Sequence, residues 1–86
     1  MPVIARFYGI IIKMYFNDHL PPHFHAEYGE HIAELTIDTL EILRGYLPNR
    51  VLGLVLEWAV LHRQELRSNW ELARAKESLI SIAPLE

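Results

Sequence analysis

His23-Phe24-His25-Ala26-Glu27-Tyr28-Gly29-Glu30-His31-Ile32-Ala33-Glu34-Leu35-Thr36-Ile37-Asp38 is the stretch that decides the fold. Two runs with period-two alternation flank Gly29-Glu30, and Gly at the first central position suits a type II′ hairpin turn. The register then follows. Tyr28 faces His31, Ala26 faces Ala33 and Phe24 faces Leu35 on one side of the sheet. On the other side His25 lies opposite Glu34, His23 opposite Thr36 and Glu27 opposite Ile32. A slip of one residue would set apolar side chains against polar ones, so the pattern fixes the pairing.

The reading extends outward from this hairpin. Ile10 to Phe16 is rich in β-branched and aromatic residues, with Ile10, Ile12, Met14 and Phe16 on one face and Lys13 and Tyr15 on the other. Asn17-Asp18-His19-Leu20-Pro21-Pro22 is a loop by its turn residues. Ile42 to Gly45 can pair back on the second hairpin strand, which would put Arg44 beside Thr36. Pro48 suits the first turn of a helix. Val51, Val55, Trp58, His62, Leu66, Trp70 and Ala73 recur every three to four residues. The spacing predicts one long helix to about Lys76, or a break at Ser68-Asn69 with a cap there. Leu79 to Leu85 is a short apolar tail that adds an edge strand or covers the core.

The expected architecture is α+β, an antiparallel β-meander of three to five strands packed on one long C-terminal helix. We expect one domain over 1–86, with the sheet at about 3–46, the helix at about 48–76 and a tail over 77–86.

The chain has 86 residues, 51% of them hydrophobic and 22% charged, which is the composition of a folded protein. It has no cysteine, which excludes disulfides and thiolate metal sites. The net charge of −3 argues against indiscriminate nucleic-acid binding, although a local basic patch stays open. Met1 to Arg6 lacks the layout of a secretory signal. The apolar run Val51 to Leu61 contains Glu57 and is too short to span a bilayer. These features lead us to expect a cytoplasmic protein without a membrane partner.

The polar sheet face gathers the candidate chemistry. His23 and His25 share that face, and His19 makes the spacing His-x3-His-x-His. His19, His23, His25 and Glu27 are candidate ligands for a divalent metal, since two histidines with a carboxylate suit zinc or non-haem iron. Alternatively His23 and His25 work as acid and base without metal, with Glu34 orienting His25 and with Lys13 and Arg44 holding a phosphate. The bland alternative is a solvated sheet face carrying ordinary His, Glu, Lys and Thr. Asp18 and His19 discriminate: folded over the face they make a site, and turned away they leave plain surface.

Val51 to Leu61 is apolar nearly all round, more than one sheet face can cover. Leu54, Trp58 and Leu61 are therefore candidate partner-binding residues, toward another protein or a second copy. The competing reading is that the tail and Val3 to Tyr8 complete the cover.

Phe7-Tyr8-Gly9, Asp18-His19, Pro21-Pro22-His23-Phe24-His25-Ala26-Glu27-Tyr28-Gly29, Leu56-Glu57-Trp58-Ala59, Leu61-His62-Arg63, Glu65-Leu66 and Asn69-Trp70 together resemble a bacterial family, numbered 4160 among domains of unknown function. The resemblance implies a small cytoplasmic protein, often encoded beside another small protein like domain of unknown function 2442. Such pairs look like toxin–antitoxin modules. The resemblance carries no established activity. One departure is that Leu40 stands where the family commonly has Gly, which predicts a looser turn before Glu41. The leading expectation is an intracellular protein-interaction module, one component of such a pair. The alternative is a histidine-dependent, metal-assisted nuclease-like enzyme.

Overall fold

The structure, a computed structural model, describes residues 3–86. Five strands follow in order: β1 (Val3–Phe7), β2 (Ile10–Lys13), β3 (His23–Tyr28), β4 (His31–Thr36) and β5 (Ile42–Gly45). They form one antiparallel sheet in the order β1-β2-β3-β4-β5. Two helices come after, α1 (Asn49–Leu61) and α2 (Arg63–Arg74). Among the described residues no helix is long and apolar enough to cross a membrane.

The central hairpin has the register expected, from His23↔Thr36 to Tyr28↔His31. Gly29 takes a positive φ of 58°, as the first central position of a II′ turn requires. Tyr8 and Gly9 join β1 to β2 and both have positive φ, the mark of a I′ turn. The strand expected over Ile10 to Phe16 ends at Lys13; Met14 is still buried, whereas Phe16 is 47% exposed.

Arg44 stands opposite Glu34 and not beside Thr36, because the chain reverses tightly after Thr36, which sets Leu35 opposite Ile42. A one-residue register shift between Glu34 and Leu35 then moves Arg44 from Ala33 to Glu34. The expected loosening at Leu40 is also corrected. Leu40 adopts φ 61° and its N–H donates to Thr36 O at 3.0 Å, while Thr36 N–H donates to Glu41 O at 2.9 Å. The turn stays closed because Leu40 takes the left-handed conformation that Gly would take more easily.

One sheet face carries the core. Phe24, Ile12, Leu35 and Val55 are fully buried, with Trp58 beneath them. The Trp58 ring lies 5.4 Å from Phe7 and 6.1 Å from Phe24, and its Nε1–H donates to Ala83 O at 2.8 Å. The expected helical stripe is buried at Val51, Val55, Trp58, Leu66, Trp70 and Ala73.

The single long helix is corrected to two. His62 leaves helical geometry (φ −123°, ψ 24°) and its N–H turns back to Ala59 O. No Gly or Pro marks this point, so the apolar period runs straight through it. Ser68-Asn69 is not a break. Asn69 is buried and binds the tail twice, Nδ2–H donating to Ile80 O at 2.8 Å and Oδ1 accepting from Ile80 N–H at 2.9 Å. The tail adds no strand. It lies over the core with Ile82 buried and its N–H donating to Ile4 O at 2.8 Å.

Candidate metal centre

The second sheet face is not open. Asp18 and His19 fold over the start of β3, and α2 closes the same end, with Asn17 N–H donating to Ala73 O at 3.2 Å. Trp70 of α2 lies 5.3 Å from the His23 ring, and His19 stacks on His23 at 4.5 Å. On a plain solvated face His23 would be open to water. It does lie on the polar face, but its side chain has no exposure.

Five side chains converge here. His23 Nε2 lies 3.0 Å from Asp18 Oδ2 and 3.8 Å from Glu34 Oε1. His19 Nε2 lies 3.5 Å from Glu34 Oε1 and 3.8 Å from Asp18 Oδ1. His25 Nε2 lies 3.5 Å from Glu34 Oε2. Two triads, Asp18-His23-His25 and His19-His23-Glu34, each have their ligand atoms within 4.8 Å of one another, and they share His23. With bonds of about 2.1 Å, a metal ion sets neighbouring ligand atoms about 3.0 Å apart in an octahedron and about 3.4 Å in a tetrahedron. The spacings of this cluster bracket those values.

The hydrogen bonds point the same way. His23 Nδ1 donates to Pro21 O at 2.8 Å, because a carbonyl can only accept. In a neutral ring Nε2 then carries a lone pair, and it faces two carboxylates. Ring Nδ1–H bound to a backbone carbonyl is the arrangement that orients a metal-ligating histidine. Glu34 Oε1 is buried and has no hydrogen-bond partner, and His25 Nδ1 is likewise unpartnered. A buried polar atom left this way costs about 1–3 kcal/mol. A cation among the Nε2 atoms would satisfy Glu34.

Two carboxyl and imidazole pKa values are displaced. Burial alone would raise Asp18, but the His19 backbone N–H at 2.8 Å, with His23 and His19 nearby, outweighs it and holds the carboxyl below its ordinary value. For His25, burial is the largest influence and lowers the pKa, with Glu34 opposing it and His23 adding to it. Both shifts favour the ligating forms, an ionised carboxylate and a neutral imidazole.

Of the four metal ligands expected from sequence, His19, His23 and His25 come together. Glu27 does not; it pairs with Lys13 at 3.0 Å. Asp18 and Glu34 take its place. Asp18 carried a signal, since it neighbours His19 and begins the folded-over loop. Of the expected acid–base group, His23, His25 and Glu34 meet, Lys13 is tied to Glu27, and Arg44 stands in line with Glu34 on β5. Lys13, His25, Glu34 and Arg44 in fact form one cross-strand row over β2 to β5. The partner-binding residues separate. Trp58 is fully buried in the core and offers no surface, Leu54 is half-buried, and Leu61 is 68% exposed.

Comparison with curated proteins and with solved structures found no match. A family model does match, over residues 9–71, a span that holds all five cluster residues. The chain therefore belongs to the family described as Domain of unknown function (DUF4160).

Proposed function

We propose that the chain binds one divalent transition-metal ion between the 17–22 loop and the polar face of the sheet, and that this ion is its functional centre. His23 carries the reading. Its Nδ1 is committed to Pro21 O, and its buried Nε2 points at Asp18 and Glu34, which leaves the place of a cation between them. Three imidazoles with two carboxylates suit ions of the zinc and ferrous class and not calcium or magnesium, which take oxygen. Mixed histidine–carboxylate sets are those of catalytic metals, and His19, 48% exposed, leaves the ion reachable from solvent. Nuclease-like hydrolysis is the chemistry such a centre would serve, with the ion acting as a Lewis acid. The test is titration of metal-free protein with zinc and with cobalt. We expect one equivalent bound below micromolar Kd and a tetrahedral or five-coordinate cobalt spectrum. Absence of stoichiometric binding would overturn the reading.

Pairing with a second protein, in a toxin–antitoxin-like module or with another copy, is the other reading. Its support is the exposed apolar end of α1, where Val60 is 58% and Leu61 68% exposed. Light scattering of the purified protein, alone and with the product of the adjacent gene, tests it. A clean monomer that ignores that product would count against it.

A further inference from the structure

The row Lys13–His25–Glu34–Arg44 has a cation at each end, and the two behave differently. Lys13 is neutralised by Glu27 at 3.0 Å. Arg44 is directly across the ladder from Glu34, where opposite charges ordinarily pair. Here they do not. Glu34 turns its carboxylate into the histidine cluster, with Oε1 buried and Oε2 3.5 Å from His25 Nε2. Among the described residues Arg44 then makes no ion pair and no side-chain hydrogen bond, and it is exposed. Cross-strand partners share a sheet face, so this free guanidinium lies on the face that holds the cluster, one strand from it.

We infer that Arg44 is the substrate-binding cation of the metal centre, and that the centre takes a singly charged oxyanion, a phosphate diester or a carboxylate. This rests on the metal reading above. The charge argument is short. Asp18 and Glu34 balance a divalent ion when the three histidines are neutral. Arg44's own charge is left over, and it matches one negative charge on the ligand. The guanidinium fork matches two oxygens of a phosphate or carboxylate, a geometry that Lys does not reproduce. One oxygen of the ligand would meet the ion on the His19 side and the others the fork. The ligand's charge is thus held at two points, as in oxyanion sites of hydrolytic centres. Arg44 is singled out by its place, since the carboxylate opposite it on the ladder is committed to the histidine cluster.

The test uses zinc-loaded protein, with dimethyl phosphate and acetate as separate probes followed by amide chemical shifts. Wild type should bind at least one of them saturably, with shifts centred on residues around Glu34 and Arg44. Preference for dimethyl phosphate assigns the diester, and preference for acetate assigns the carboxylate. Arg44→Gln should weaken that probe at least fivefold, and Arg44→Lys should recover only part of the loss. Zinc affinity should stay within twofold in both variants. Arg50→Gln removes a guanidinium beside Tyr8 and Tyr28, in a separate cleft, and should change nothing. Equal probe binding by wild type and Arg44→Gln, or no probe binding by zinc-loaded wild type, would overturn the inference and leave the metal reading standing. Failure to bind zinc at all would instead overturn the metal reading, and this inference with it.

Discussion

His23 Nε2 lies 3.0 Å from Asp18 Oδ2 while its Nδ1 lies 2.8 Å from Pro21 O. A neutral imidazole can donate to only one of these acceptors, so the pair demands a proton or a metal ion at Nε2. Asp18→Asn keeps the shape of the side chain and removes its charge. On the metal reading zinc affinity falls by about 100-fold or more, since loss of a mere outer-shell partner already costs about 10–100-fold. Competition against a chromophoric chelator measures this. Unchanged affinity would remove Asp18 from the ligand set.

The metal-free protein should lose stability in acid, in two stages. His25 has its pKa lowered, chiefly by burial, from an ordinary 6.5. The unfolded chain therefore takes up that proton at higher pH than the folded one does. The His25 contribution is complete above pH 6.5 and is lost as pH falls through the lower folded value. Asp18, lowered from 3.8, contributes in the same direction, present above 3.8 and lost as pH falls through its folded value. Urea midpoints against pH report both. His25→Gln should flatten the first decline. A wild-type midpoint that rises between neutrality and pH 5 would contradict this account.

Glu27→Gln separates the site seen in the sequence from the site in the fold. Glu27 shares a face with His23 and His25, yet it is spent on Lys13. Zinc affinity should stay within about twofold of wild type. Stability should drop by about 1 kcal/mol, the upper end for a surface pair, because both side chains are mostly covered. A large loss of zinc affinity would return Glu27 to the ligand set.

These residues also mark how far the sequence could be read. The hairpin register was legible because period-two alternation leaves only one pairing that keeps Phe24, Ala26 and Leu35 together in the core. It brought His25 to Glu34 without any structure. The irregular points were not legible. The chain turns back sooner after Thr36 than the turn residues suggest, with Thr36 bonded to Glu41 and Leu35 opposite Ile42, and a one-residue shift beyond it sets Arg44 opposite Glu34 instead of Thr36. The break at His62 lacks Gly or Pro, so periodicity passed over it. That Asp18 joins the histidines depended on a loop folding over the sheet, a tertiary event that Asp18-His19 foreshadowed by composition alone.

Asn69→Ala should cost about 2–3 kcal/mol, because it leaves both Ile80 N–H and Ile80 O without their protein partner and opens a small void. The tail carries the acceptor for Trp58 Nε1–H at Ala83 and the Ile82 contact to β1. Loosening it should therefore red-shift tryptophan emission in the folded state. Denaturant titration followed by fluorescence reads both effects. A fully stable variant with native emission would show that the tail is held by Ile82 packing instead.

Gly45→Ala probes how firmly β5 holds Arg44 beside the cluster. Gly45 has φ 85°, and a Cβ there would lie 2.0 Å from Ile32 O and 3.0 Å from Ala33 Cα, both backbone atoms that cannot swing aside. The left-handed conformation alone costs an L-residue about 1–2 kcal/mol. Relieving the clash requires β5 to move off β4, which breaks the Tyr46 N–H bond to Ile32 O at 3.1 Å. The variant should lose about 3 kcal/mol in total or release β5 locally, and the Tyr46 amide should exchange with solvent far faster. The ligands Asp18, His19, His23, His25 and Glu34 all precede this break, so zinc affinity should fall much less than oxyanion affinity. Proportional loss of both would mean that β5 supports the metal cluster directly, and native exchange at Tyr46 would mean that the close approach at Ile32 is relieved elsewhere.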